Sequence, residues 1–187
     1  MSTITVKDTI RTITVKDKIF SPFITAEELD KAVSHIAVAM EKDLAGKNPI
    51  FLIVLNGAFM FAADLVKKLD FPCQLSFIKL SSYAGLCTSN KVRELIGLNE
   101  DLTGRTVVVV EDIIDTGITL GDLMEIVKSK NALEVKLAAL LFKPDAFRKS
   151  YTIDYIGIEI PNDFIVGYGL DYDGYGRNYP DIYRIVE

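Results

Sequence analysis

The sequence predicts a doubly wound α/β fold, a parallel sheet with helices on both faces, and three observations carry that prediction. Several short segments are apolar at almost every position: "IFLIVL" (Ile50–Leu55), "VVVV" (Val107–Val110) and "VKLAALLF" (Val135–Phe142). Such runs read as strands buried on both sides rather than on one. Stretches of helical period alternate with them, the order expected when crossover helices join parallel strands. Finally, the valine segment runs directly into Glu111 and Asp112 and then into "IIDTG". Acids and small residues there suit a strand whose carboxyl end opens on a ligand crevice.

In chain order, the first feature is a duplication: "TITVKD" occurs at Thr3–Asp8 and again at Thr12–Asp17. Each copy alternates β-branched and polar residues, as a short edge strand does. Two copies are too few for a repeat architecture, and the N-terminal segment 1–18 receives no function. After Pro22, "TAEELDKAVSHIAVAMEKDL" reads as an amphipathic helix, with Thr25 and Glu28 spaced as a capping box and Gly46 to Pro49 ending it. "IFLIVL" follows as a strand, "NGAF" as a turn, "MFAADLVKKL" as a second helix and "QLSFIKL" (Gln74–Leu80) as a strand. The polar segment 81–101 is long for a connection and is expected to be a flexible loop over a site. Then come the strand "RTVVVVED", the turn "IIDTG", a helix through "TLGDLMEIVKSK" and the strand ending at Lys143-Pro144. "YIGIEI", "FIVGYGL" and "YRIVE" are read as closing strands.

The 187 residues suit one domain with a sizeable core. A net charge of −5 offers no broad basic face for nucleic acid or an anionic membrane. The longest uncharged run, 48–63, is too short to span a bilayer and is broken by Asn56-Gly57. No basic stretch followed by an apolar core opens the chain, so a cytoplasmic protein is expected. Cys73 and Cys87 are the only cysteines and lack the close spacing of a metal or redox pair. With a single histidine, a zinc site built from His and Cys is excluded.

"VVVVEDIIDTGITL" (Val107–Leu120) carries the chemistry. Gly117 lets the backbone turn and approach a ligand, Thr116 and Thr119 offer hydroxyls, and a following helix would direct free N–H groups at an anion. Acids repel a polyphosphate, so Glu111 and Asp112 suit ribose hydroxyls or Mg²⁺ while the loop takes a separate phosphate. This is no Walker A loop, because Ile118 rather than lysine follows Gly117, and no glycine-spaced dinucleotide fingerprint is present.

The segment resembles the phosphoribosyl pyrophosphate (PRPP) motif of type I phosphoribosyltransferases. Its "EDIIDTG" form is similar to the hypoxanthine-guanine branch, as are "VLNGAFMFAADL", "IKLSSY", "LLFK" and "IPNDFIVGYGLDYDGYGRNYP". The resemblance spans roughly Ile19 to Tyr183 and implies a small hood subdomain beside the main sheet. It implies that Glu111 and Asp112 hold the ribose and that Ile114, Asp115, Thr116, Gly117, Ile118 and Thr119 wrap the 5′-phosphate. Asp115 becomes the general base at N7 of the purine, and Lys143 the donor to its 6-oxo group. Phe164 is implied to stack on the base, and Ile165 to border its edge through the backbone. Asp171 is implied at the purine site and, with Glu111 and Asp112, at Mg²⁺. Asn56 and Gly57, whose loop often carries a non-proline cis peptide, take pyrophosphate with Arg177, and Ser82 and Tyr83 open the lid.

Two positions depart from the commoner pattern: Asn56 replaces a Lys or Arg, and Ser81 replaces a Lys. The implied partners are PRPP and a 6-oxopurine, with no nucleic acid or membrane, in a homodimer or homotetramer. A xanthine-preferring enzyme and a PRPP-fold RNA-binding regulator are the rival readings. Retention of Asp115 and an acidic composition argue against the regulator.

Overall fold

The computed structural model describes residues 11–81, 93–96 and 98–186. Its first elements form a hairpin in which β1 (Ile13–Val15) pairs antiparallel with β2 (Lys18–Ile24), Ile13 opposite Phe20. The second "TITVKD" copy is thus the edge strand its alternation predicted; Thr3–Asp8 lies outside the described residues. Strand β2 was not foreseen, because Pro22 masks it. Proline lacks the N–H that a ladder needs, and here the pairing register shifts beside it, between Ile182 and Tyr183. Helix α1 (Ala26–Leu44) begins with the expected box: Thr25 Oγ1 accepts from the Glu28 N–H, and the Glu28 carboxylate accepts from the Thr25 N–H at 2.8 Å.

The main sheet comprises β3 (Ile50–Val54), β4 (Gln74–Ser81), β5 (Arg93–Ile96), β6 (Thr106–Ile114), β7 (Glu134–Phe142) and β8 (Tyr155–Glu159), in the spatial order β5-β4-β3-β6-β7-β8. All neighbours are parallel except β5, which runs antiparallel to β4. Helix α1 and α2 (Phe59–Val66) cover one face, packing with Phe51, Ile53, Val108 and Val110. On the other face α3 (Ile118–Ser129) sets Leu123, Met124 and Val127 against Leu52, Val107 and Val109. Both faces of the central strands are therefore dry, which is why their sequences show no alternation. A second sheet, β1-β2-β10-β9, adds β9 (Ile165–Val166) and β10 (Ile182–Ile185) around Val15, Phe20, Val166 and Tyr183.

Three boundaries differ from expectation. The valine strand, expected to end at Asp112, runs on to Ile114, because β7 keeps pairing with it as far as Ile114 opposite Phe142. The polar segment 81–101 is not loop throughout, since Arg93–Ile96 pairs with β4 and Leu98 is buried. "FIVGYGL" yields only two strand residues, because Gly167, Tyr168 and Gly169 all take positive φ and turn the chain away. No helix among the described residues is long and apolar enough to cross a membrane.

Candidate active site

Strands β3, β6 and β7 are parallel, so their carboxyl ends lie on one side of the sheet. The chain leaves β3 towards β4 and leaves β6 in the opposite direction towards β7. A crevice opens where the order reverses, between β3 and β6. Beyond β3 the Leu55–Asn56 peptide is cis, as the family resemblance implied. Gly57 then packs so closely on β6 that a Cβ there would lie 1.7 Å from Asp112 Oδ2. On its other side, a Cβ at Gly169 would lie 2.1 Å from the Gly57 carbonyl oxygen. Arg177 braces this contact: Nη1 donates to the Gly169 carbonyl at 2.6 Å and Nη2 pairs with Asp171 at 2.5 Å. Asp171 also accepts the Gly174 N–H at 2.6 Å. Tyr168, buried, donates to Asp64 of α2 at 2.6 Å. Sequence reading passed over Tyr168, Gly169 and Asp64; glycines at alternate positions inside a buried apolar stretch were the available signal. Asn56 Oδ1 accepts from the Lys79 ammonium at 3.3 Å, so a cation from β4 stands beside the residue that replaces the commoner basic one.

The structure separates the two neighbouring acids. As consecutive strand residues they project to opposite faces: Asp112 against Gly57, and Glu111 into a cavity under the phosphate loop. Burial holds the Glu111 carboxyl well above its ordinary pKa, and the nearby Asp112 raises it further. Burial also raises Asp112, to about 6, against hydrogen bonds from the Ile113 and Asp112 backbone N–H groups and the opposing charge of Arg177, while Asp171 adds to the rise. A buried Glu111 and a partly buried Asp112, both short of positive charge, are hard oxygen donors suited to Mg²⁺. No three His, Cys, Asp or Glu residues converge on a metal position among the described residues, so Glu111, Asp112 and Asp171 form no protein-only cage. Magnesium usually takes only one or two carboxylates and completes its shell with water and substrate phosphates, so the donor set fits.

The loop between β6 and α3 lines a cavity of about 120 Å³ with Glu111, Ile113–Gly117, Ile118 and Leu120. Gly117 is the N-cap of α3 at φ 78° and offers no side-chain acceptor to the first turn, which includes Thr119. Apart from a long 3.5 Å contact from the Ile118 N–H to Thr116 Oγ1, those N–H groups face the loop, the usual anion site of a helix start. The Phe147 ring covers Gly117, lying 2.7 Å from where a Cβ would stand.

Lys143 follows β7 directly, and its N–H donates to the Ile114 carbonyl at 2.9 Å. That bond ties the ends of β6 and β7 and sets Lys143 Nζ 3.2 Å from Asp115 Oδ2. The lysine side chain is only 9% exposed, whereas that of Asp115 is 44% exposed. A lysine this buried needs a partner, and Asp115 is that partner. Phe164 is half-exposed, with its ring perpendicular to Tyr172 at 5.8 Å, and Ile165 is buried in β9. Ser82 and Tyr83 lie outside the described residues.

The pattern of the phosphoribosyl transferase domain matches residues 25–173, most of the chain. The chain belongs to the phosphoribosyltransferase family. Among curated members, the hypoxanthine-guanine phosphoribosyltransferase of Streptococcus pneumoniae strain R6 is 41% identical over 160 residues, 85% of this chain and 89% of that one. Among solved structures, a Staphylococcus aureus hypoxanthine phosphoribosyltransferase superposes with a TM-score of 0.83 at 31% identity, covering 88% of this chain and 90% of that one. A Bacillus anthracis hypoxanthine-guanine phosphoribosyltransferase, crystallised with HEPES in its active site, gives 0.82 at 37% identity, covering 89% and 96%.

Proposed function

We propose that the protein transfers the 5-phosphoribosyl group from PRPP to N9 of hypoxanthine or guanine, yielding IMP or GMP and pyrophosphate. The observation that carries the reading is the Asp115–Lys143 pair beside the phosphate loop. The two side chains suit adjacent atoms of a 6-oxopurine. The Asp115 carboxylate takes up the N7 proton as N9 becomes nucleophilic, while the Lys143 ammonium donates to the 6-oxo oxygen. An amino group at that position would set a donor against the buried ammonium and gain no hydrogen bond from it, so adenine is rejected.

The remaining residues divide the other substrate. The loop from Ile114 to Thr119 holds the 5′-phosphate through backbone N–H groups. Asp112 and Glu111 hold the ribose hydroxyls. The Asn56–Gly57 backbone and the Arg177 donors left free by Gly169 and Asp171 take the pyrophosphate. Mg²⁺ held by Asp112 or Asp171, with substrate oxygens completing its shell, would neutralise charge on the leaving pyrophosphate. The names of the relatives support transfer to hypoxanthine or guanine; a cytoplasmic homodimer or homotetramer belongs to the same reading.

An ultraviolet assay with PRPP and Mg²⁺, offering hypoxanthine, guanine, xanthine and adenine separately, tests the reading. Turnover of hypoxanthine or guanine, with pyrophosphate released and adenine untouched, is the expected result. PRPP binding without turnover of any base would contradict it.

A further inference from the structure

We propose that the Lys16–Asp17 turn between β1 and β2, part of the duplicated hexapeptide, is a positioning element for the purine-binding face. It fixes Tyr172 and, through Tyr172, the ring of Phe164. The inference rests on the proposed function, in which Phe164 stacks on the base.

A half-exposed aromatic just ahead of a short strand can hold one orientation only if its neighbours prevent others. Here the neighbours come from the hairpin. The Tyr172 hydroxyl donates to Asp17 Oδ1 at 3.0 Å. The Tyr172 ring stands at 89° to that of Phe164, centroids 5.8 Å apart, a favourable edge-to-face arrangement. Phe20 of β2, fully buried, lies beneath both, 6.3 Å from Phe164 and 6.4 Å from Tyr172. Lys16 pairs with Asp173 and stands 5.5 Å from the centre of the Tyr175 ring. Val15 is buried, with both methyls 3.7 Å from where a Cβ at Gly176 would stand.

Exposed ion pairs contribute little singly. The weight lies in their convergence: Val15, Lys16 and Asp17 all reach the one loop from Tyr172 to Gly176. Each feature of "TITVKD" acquires a task. Ile13 and Val15 pack on the small core, and the turn residues Lys16 and Asp17 reach across to the loop. The residue that touches base is Phe164; Asp17 and Tyr172 act through it.

The test compares Asp17→Ala, Asp17→Asn, Tyr172→Phe and the double variant Asp17→Ala/Tyr172→Phe. KM for hypoxanthine at saturating PRPP, KM for PRPP and Tm are measured for each. Asp17→Ala and Tyr172→Phe are expected to raise the hypoxanthine KM about two- to tenfold, the range of one aromatic contact, with the PRPP KM and Tm nearly unchanged. Asp17→Asn keeps an acceptor and should stay near wild type, and the double variant should be no worse than either single one. An unmoved hypoxanthine KM overturns the proposal, and so does an equal rise in both KM values with a lower Tm. Wild-type turnover in the same assay separates the two readings. Its absence sinks the proposed function, whereas turnover with an unmoved hypoxanthine KM sinks only the role of the hairpin.

Discussion

Replacing Gly57 by alanine tests the crevice where it is tightest. The added methyl would stand 1.7 Å from Asp112 Oδ2, 2.4 Å from Cγ and 2.9 Å from Oδ1. Contacts under 3.0 Å are essentially never made by a real Cβ, so the loop and Asp112 must separate by at least about 1.3 Å. The loop is also packed against Gly169, where a Cβ would lie 2.1 Å from the Gly57 carbonyl oxygen, and Arg177 braces Gly169. Overpacking of this kind costs about 1–3 kcal/mol, which for a chain of this size lowers Tm by roughly 2–12 °C. The functional loss should be larger in proportion. A misplacement of about 1 Å in a reacting constellation costs on the order of 10²-fold, and this one shifts Asp112, the Asn56–Gly57 loop or both, the groups proposed to hold ribose and pyrophosphate. Steady-state kinetics and PRPP calorimetry should find kcat/KM for PRPP down about 10²-fold. A lower Tm with unchanged kcat/KM would show that the Gly57–Asp112 contact is packing alone and would refute the assignment of this loop to pyrophosphate.

Two further substitutions probe the carboxylates. Asp115→Asn leaves the backbone of the phosphate loop intact, so PRPP affinity by calorimetry should hold while kcat falls about 10²- to 10⁴-fold; wild-type turnover would remove Asp115 from the proton transfer. Asp112 is held above its ordinary range, at about 6, mainly by burial, so the sign of its pH effect is fixed. Its contribution favours the free fold below the ordinary carboxylate range and is lost as pH rises through about 6. Asp112→Asn should therefore stabilise the free protein at pH 7.5, by up to about 3 kcal/mol, with the gain shrinking towards pH 5. A variant melting below wild type at pH 7.5 would contradict the account of this burial.

Much of the fold was legible because the signals were local. Thr25 and Glu28 mark the start of α1 by hydrogen bonds within four residues, and the uninterrupted valines of β6 mark a strand covered by helices on both faces. The elements that escaped depend on distant partners. Strand β2 exists because β1 and β10 flank it, and its proline is accommodated where the β10 register shifts. Gly169 is needed for its positive φ and because Gly57, more than a hundred positions earlier, packs on it. At the candidate site the motif announced the residue types. It did not reveal that Glu111 and Asp112 face opposite sides of β6, or that Asp115 and Lys143 pair across the ends of β6 and β7. Strand pleat and register decide both.

Asp115 and Lys143 together hold the central claim, that this site recognises a 6-oxopurine. The most direct measurement is the ratio of kcat/KM for hypoxanthine over adenine, in wild type and in Lys143→Ala, with PRPP affinity followed alongside. Removing the buried donor should lower hypoxanthine kcat/KM about 10- to 100-fold and collapse the ratio towards unity, with PRPP affinity almost unchanged. A ratio that survives the substitution, or a loss confined to PRPP, would contradict it.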